Sequence, residues 1–379
     1  MKLAINGRTL EGRRTGVGRY QANLLNIWSA EENQNTYDLY FKNEIPKDEF
    51  LKNPNITTHL IPNPKYIDIG PLWENFYLPK GVRKNSNADI YFTANYTLPI
   101  LPISTKKVVT IFDISYIAHP EWFPKRQLAS LAPLTGPTVR KADVIITGSI
   151  ATKNEILKYY DIDENKIKIT NLGVDNTFLN LDKTKGKSEA NRVTKKYNLK
   201  GKVILFVGLL MNRRNIPQLI EAVANVIKNT GEIITLVILG KNHTYPYQDI
   251  DALAAEFGMT EQLRWIEYTS DEDVFGLYKA ANLFMCISLY EGFNITPLEA
   301  LGLGVPTICS NLSSLPEVVG DAAYMLEDPT DSMQMAEAIE HVVFNDTLCN
   351  QLIEKGKIQA SKFSWERCAK ETMDILNEV

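Results

Sequence analysis

One stretch narrows the fold of this chain more than any other: Ser288-Leu-Tyr-Glu-Gly-Phe-Asn-Ile-Thr-Pro-Leu-Glu-Ala-Leu-Gly-Leu-Gly-Val-Pro306. It is flanked by two apolar runs, Asn282 to Ile287 and Val305 to Cys309, each of a length and character that suits a buried strand. Between them a loop leads into a helix expected to start near Thr296. Thr296 would be its N-cap and Pro297 its first residue, where a missing N–H costs nothing. Strand, loop, helix and strand in this order form a unit of a parallel sheet, since parallel neighbours need a crossover. Ligands of open parallel sheets sit at the carboxyl ends of the strands. The 288–296 loop should therefore open into the site, with N–H groups of the helix start facing it.

Two carboxylates frame this loop, Glu291 at its start and Glu299 in the first helical turn. Exposed backbone through Gly292, Phe293, Asn294, Ile295 and Thr296 is expected to approach a ligand closely. Asn294 tolerates the left-handed backbone that a sharp turn needs. The N–H groups would meet an anion and the carboxylates would accept from hydroxyls. A nucleotide-diphosphate sugar carries both. Thr296 and Glu299 are also spaced as a capping box, so Glu299 reads equally as a ligand group or as a cap. Upstream, Lys202 to Leu210 reads as a buried parallel strand. Its exit loop, Met211-Asn-Arg-Arg-Asn215, precedes a helix from Ile216 to Val226. Arg213 and Arg214 are the best cationic feature of the chain, and guanidinium suits bidentate phosphate contacts.

At 379 residues two domains are the natural expectation, and 44% hydrophobic with 23% charged residues describes an ordinary soluble protein. A net charge of −4 gives no case for nucleic-acid binding. Charge is uneven: residues 1–175 hold 22 Lys and Arg against 18 Asp and Glu, and residues 176–379 hold 19 against 27. The basic half is compatible with an anionic membrane or a phosphate-bearing acceptor, and equally with chance. Cys286, Cys309, Cys349 and Cys368 show no metal spacing, and Cys286 and Cys309 read as buried free thiols. The start, Met1-Lys-Leu-Ala-Ile-Asn, reads as a strand and not as a signal peptide. The longest apolar run, Val203 to Met211, is too short to span a bilayer. A cytoplasmic protein is expected, peripheral at the inner membrane face at most.

Leu3 to Ile5 reads as the first strand, and Glu11-Gly-Arg-Arg-Thr-Gly-Val-Gly-Arg-Tyr20 as a glycine-bearing loop that feeds a helix. Gly16 and Gly18 there could cradle a phosphate or simply make a turn. The aromatic run Pro71 to Pro79 reads as a helix packed on the sheet, with lipid contact beside Arg83 and Lys84 as a second reading. Lys107 to Phe112 reads as a strand that delivers Asp113 at its carboxyl end. The Lys-rich stretch 181–200 is nearly free of large apolar groups, which places a hinge near 173–200. The pairs Asp161/Asp163, Asp249/Asp251 and Asp271/Asp273 precede helices and read as caps, not metal ligands.

Glu291 to Glu299, together with Glu299-Ala-Leu-Gly-Leu-Gly-Val-Pro306 and Leu315-Pro-Glu-Val-Val-Gly-Asp-Ala-Ala323, resembles the E-x7-E region of retaining glycosyltransferases of family 4. The resemblance covers nearly the whole chain and is densest from 202 to 330. It implies an α/β GT-B fold of two Rossmann-like domains with a deep interdomain cleft. The implied domains are an acceptor-binding one over 1–175, a nucleotide-sugar-binding one over 176–362, and a last helix over 363–379 returning to the first. By resemblance Glu291 holds donor-sugar hydroxyls, Glu299 holds the ribose, and Arg213 and Arg214 meet the diphosphate. Gly16 and Gly18 face the phosphates or the acceptor, and the base sits near Tyr268. Three positions depart from the family pattern: Phe112 stands before Asp113 where His is usual, Arg214 stands for Lys, and Glu267 for Gly. His119 is a weak substitute for the missing His.

The reading is a metal-independent retaining hexosyltransferase of polysaccharide biosynthesis, using a UDP- or GDP-linked donor and a glycan or lipid-linked acceptor. No cofactor is expected. A non-catalytic nucleotide-sugar-binding subunit and a sugar-nucleotide epimerase are the alternatives.

Overall fold

The apolar runs of the sequence become two separate parallel sheets. The computed structural model describes residues 1–14, 16–31, 34–63, 70–179 and 183–379, without the side chains of 183–185. In the first sheet β1 (Lys2–Asn6), β2 (Thr36–Phe41), β3 (Ile56–Leu60), β4 (Ile90–Thr93), β5 (Lys106–Thr110), β6 (Val144–Thr147) and β7 (Ile167–Ile169) lie in the order β3-β2-β1-β4-β5-β6-β7. In the second, β8 (Lys202–Val207), β9 (Ile234–Leu239), β10 (Leu263–Ile266), β11 (Leu283–Cys286), β12 (Thr307–Ser310) and β13 (Tyr324–Leu326) lie in the order β10-β9-β8-β11-β12-β13. The inner strands are near-continuous runs of Val, Ile, Leu and Phe because both their faces are covered.

Two compact units result. The first holds 1–118, 125–173 and 365–379, and the second holds 119–124 and 174–364. The helix Trp365–Asn377 joins the first unit because its buried stripe, Trp365, Cys368, Ala369, Thr372, Met373 and Leu376, repeats at helical spacing. Trp28 Nε1 donates to the carbonyl of Ala369 at 2.9 Å and fixes the contact.

Several sequence expectations need correction. The stretch 181–200 contains a helix, Lys183–Lys196, within the second unit, and residues 180–182 lie outside the described residues. Its anchor is Asp273, which accepts from Arg192 (2.6 Å), Lys196 (2.5 Å) and Tyr197 (2.6 Å). Polar side chains thus hold a helix that lacks a broad apolar face. Asp163 and Asp249 do cap their helices, but the helix Asp271–Ala280 is capped by Ser270. The aromatic helix near residue 73 follows its first reading and packs inward: Trp73 is fully buried and Nε1 donates to the carbonyl of Ile61 at 2.6 Å. Gly16 and Gly18 lie inside the helix Gly16–Ala30, not in a loop before it, while Thr15 is outside the described residues. A Cβ on Gly18 would sit 2.4 Å from the carbonyl oxygen of Thr9, so close packing demands that glycine, whereas Gly16 has open space around it.

Candidate functional site

The second unit gathers its polar groups at the carboxyl ends of β8 and β11, which are neighbours in the sheet. β8 ends at Val207 and its exit loop forms the short turn Asn212–Arg214. Asn215 closes that turn in the left-handed conformation (φ 60°, ψ 38°) and starts the helix Ile216–Thr230. Its side chain donates to the carbonyl of Pro329, which locks the turn in place. The carbonyl of Arg213 accepts from Leu289 N at 2.8 Å, so the two exit loops are stitched together.

That stitching brings Arg214 onto Glu291. Their side chains form an ion pair with only 13% and 4% of each exposed. Arg214 Nη1 also lies 3.5 Å from Ser288 Oγ, while its Nε is buried with no hydrogen-bond partner among the described residues. Asn294 Nδ2 donates to Glu291 Oε1 at 3.3 Å. The Glu291 backbone is held from the far side: Ser313 Oγ donates to its carbonyl at 2.6 Å, and Ser314 Oγ does so at 3.0 Å. Ser310 Oγ donates to the carbonyl of Ser288 at 2.5 Å. The segments that leave β8, β11 and β12 therefore converge on Glu291. Nothing in the sequence reading connects Ser313 or Ser314 to Glu291. The cluster Ser310, Ser313 and Ser314 at the end of β12 was the available signal.

Asn294 has φ 71°, the left-handed backbone its residue type favours. Its Oδ1 accepts from Thr296 N (3.2 Å) and Thr296 Oγ1 (3.0 Å). Thr296 is thus the first residue of the helix Thr296–Gly302 and not its N-cap, and Pro297 is the second. The expected capping box is displaced, because the carboxamide two residues upstream reaches the free N–H first. Glu299 instead accepts from Tyr278 OH at 2.8 Å through Oε2. Gly292 and Phe293 are buried, not exposed backbone; Phe293 packs edge-on to Phe363 with ring centroids 5.7 Å apart. Ile295 is half-buried. Beneath the loop, burial pushes the Cys309 thiol well above its ordinary range, with Cys286 beside it.

Tyr268 is 64% exposed on the loop that leaves β10. His119 and Trp122 stack at 4.1 Å, and the His119 ring meets Tyr290 edge-on at 5.7 Å, next to Glu291 in the chain. The remaining candidates belong to the first unit. Asp113 Oδ1 accepts from Ser115 N (2.9 Å) and Ser115 Oγ (2.5 Å), at the start of a short helix. Phe112 is buried and meets Tyr20 edge-on at 4.9 Å, which makes it a core aromatic.

Residues 187–359 match the sequence model described as glycosyl transferases group 1. Over those residues the chain is similar to that family. The O-antigen chain mannosyltransferase B of Escherichia coli is 29% identical over 390 residues, covering 99% of both chains. Among solved structures, sucrose-phosphate synthase from Thermosynechococcus elongatus superposes with a TM-score of 0.76 at 17% identity, over 100% of this chain and 98% of that one. WaaG, a glycosyltransferase involved in lipopolysaccharide biosynthesis, superposes with a TM-score of 0.76 at 16% identity over 99% of both chains. The fold of the chain is GT-B.

Proposed function

We propose that the chain transfers a hexose from a UDP- or GDP-linked donor to a glycan or lipid-linked glycan, with retention at the anomeric carbon, in polysaccharide biosynthesis. The mannosyltransferase relative makes mannose the first sugar to test. The observation that carries the reading is the buried Arg214–Glu291 pair at the carboxyl ends of adjacent strands. A guanidinium has five N–H donors in a fixed fork, so Arg214 can hold Glu291 and still meet a phosphate oxygen. Arg213 lies beside it on the same turn.

In this reading the bond between the anomeric carbon and the phosphate oxygen breaks, and the diphosphate leaves with the electron pair. Arg213 and Arg214 offset its negative charge as it develops. Glu291, fixed by Arg214 and Asn294, faces the positive charge that builds on the sugar and accepts from its hydroxyls. The acceptor hydroxyl attacks on the face the diphosphate leaves, and its proton passes to a diphosphate oxygen. Glu299 and Tyr278 hold the ribose hydroxyls. A lipid-linked acceptor would bring the chain to a membrane surface; no described helix is long and apolar enough to cross one.

The test supplies the full chain with GDP- and UDP-linked hexoses and a mannose-terminated oligosaccharide. Nucleoside diphosphate should appear only when the acceptor is present, with retained configuration in the product by NMR. Arg213→Ala should weaken nucleoside diphosphate binding by about tenfold or more. Interconversion of the free donor without acceptor would make the chain an epimerase. Donor binding without turnover would make it a binding subunit. Either result overturns the proposal.

A further inference from the structure

Beside Arg214 the sheet edge is bare of side chains. Strand register puts Val207 level with Leu239, and Leu239 level with Ile266. The next residues along that line are Gly208, Gly240 and Glu267. Gly208 (φ 150°) and Gly240 (φ 154°) both occupy backbone that other residues rarely adopt. A Cβ on Gly240 would fall 1.9 Å from the carbonyl oxygen of Gly208, and one on Gly208 would fall 3.7 Å from the Arg214 guanidinium carbon. The result is a ledge of backbone with a guanidinium at one end and a carboxylate at the other. At about 4.8 Å per strand the β10 loop lies about 10 Å along the edge from the β8 loop. A ribose and a base span that distance.

The carboxylate end is furnished for a base. Glu267 is exposed. Tyr268 follows it, 64% exposed. The loop leaving β9 presents Tyr245 and Tyr247, 39% and 71% exposed. That loop is braced and not loose: Asn242 Nδ2 donates to the carbonyl of Gln248 at 2.8 Å, and Thr244 Oγ1 accepts from Gln248 N at 2.8 Å. Asn212, next to Arg213, accepts from Tyr245 N at 2.5 Å and donates to the carbonyl of Pro246 at 3.3 Å. The phosphate-binding turn and the tyrosine loop are therefore one construction. Aromatic faces on ordered backbone are what stacks a base at small entropic cost.

We propose that Glu267 reads a guanine, so that the donor is a guanosine-diphosphate sugar. The inference rests on the donor site proposed above and selects its base. Guanine presents N1–H and its 2-amino group side by side, and two carboxylate oxygens accept both in charge-assisted bonds. Uracil has a single N–H between two carbonyl oxygens, which a carboxylate repels. Adenine sets its amino group beside a ring acceptor, so one carboxylate oxygen faces a lone pair. On the β12 side of Glu291 the corresponding loop offers Ser313 and Ser314, already committed to bracing Glu291. That leaves the β9–β10 side for the nucleoside.

The experiment is calorimetric titration of the full chain, and of Glu267→Gln and Glu267→Ala, with GDP, UDP and ADP. Glu267 is exposed, so both variants should keep the wild-type circular dichroism and melting. The wild type should bind GDP at least about tenfold more tightly than UDP or ADP. Both substitutions should weaken GDP by roughly 10- to 100-fold and leave UDP within a factor of about two. Tighter binding of UDP or ADP than of GDP, or equal losses for all three nucleotides, overturns the base assignment and leaves the donor site intact. Failure of every nucleotide to bind overturns both.

Discussion

Glu291→Ala should cost the second unit its stability as well as its activity. The partner, Arg214, has 13% of its side chain exposed and a buried Nε without a hydrogen bond among the described residues. Removing the carboxylate strands this charge. Breaking a buried ion pair from one side costs about 3–5 kcal/mol, because the remaining charge has lost its compensation. The lower end applies here, since Ser288 Oγ stays near Arg214 Nη1 and some solvent reaches the guanidinium. Taking ~3 kcal/mol and roughly 2–4 °C per kcal/mol for a unit of this size, the melting temperature should fall about 6–12 °C. Differential scanning calorimetry resolves the transition of each unit and is the assay of choice. Glu291→Gln, which keeps an acceptor oxygen for Arg214, should lose less. The double variant Arg214→Met with Glu291→Met should recover most of the loss, because neither charge is then buried alone. A Glu291→Ala transition within about 2 °C of wild type would show that the pair is dispensable to folding. It would also leave Glu291 free of the constraint on which its proposed role depends.

Two further outcomes follow from the second unit. Asp273 is buried, which opposes its charge, but hydrogen bonds from Lys196, Thr269, Tyr197 and Arg192 outweigh that and hold the carboxyl far below its usual range. A depressed carboxyl pKa stabilises the fold above the unfolded value and loses that effect as the pH drops through the folded value. Asp273→Asn should therefore melt lower than wild type at pH 7, with the gap closing progressively below about pH 4; a gap that stays constant to pH 2.5 would remove Asp273 from the account. Gly240→Ala, with its Cβ driven onto the Gly208 carbonyl, should yield little folded protein, and soluble Gly240→Ala of normal melting temperature would refute the close approach of the two strand ends.

The glycine ledge shows the general limit of sequence reading in this chain. Gly208 and Gly240 look unremarkable in sequence, and only the register of β8 on β9 reveals that they touch. Phe112 stands in sequence only as a departure from a pattern, and Tyr20, distant in the chain, makes it a core aromatic by meeting it edge-on. The Lys-rich helix Lys183–Lys196 has no broad apolar face, so periodicity gave no helix, and an ion-pair network with Asp273 made one.

Other features were legible without coordinates, because they depend on neighbours within a few residues. Apolar runs without alternation meant strands buried on both faces, and their spacing by helices meant parallel sheets. Asn294 was legible as a left-handed residue because carboxamide chemistry favours that backbone locally. The order of strands was not, and it decides everything at the site. Placing β8 beside β11 sets Arg214 against Glu291, and the Asp271–Ala280 helix sets Tyr278 against Glu299. Local chemistry can say which side chains are able to carry charge or accept a proton. Which of them meet is a property of the packed sheet, since contacts distant in sequence arise only when the whole unit closes.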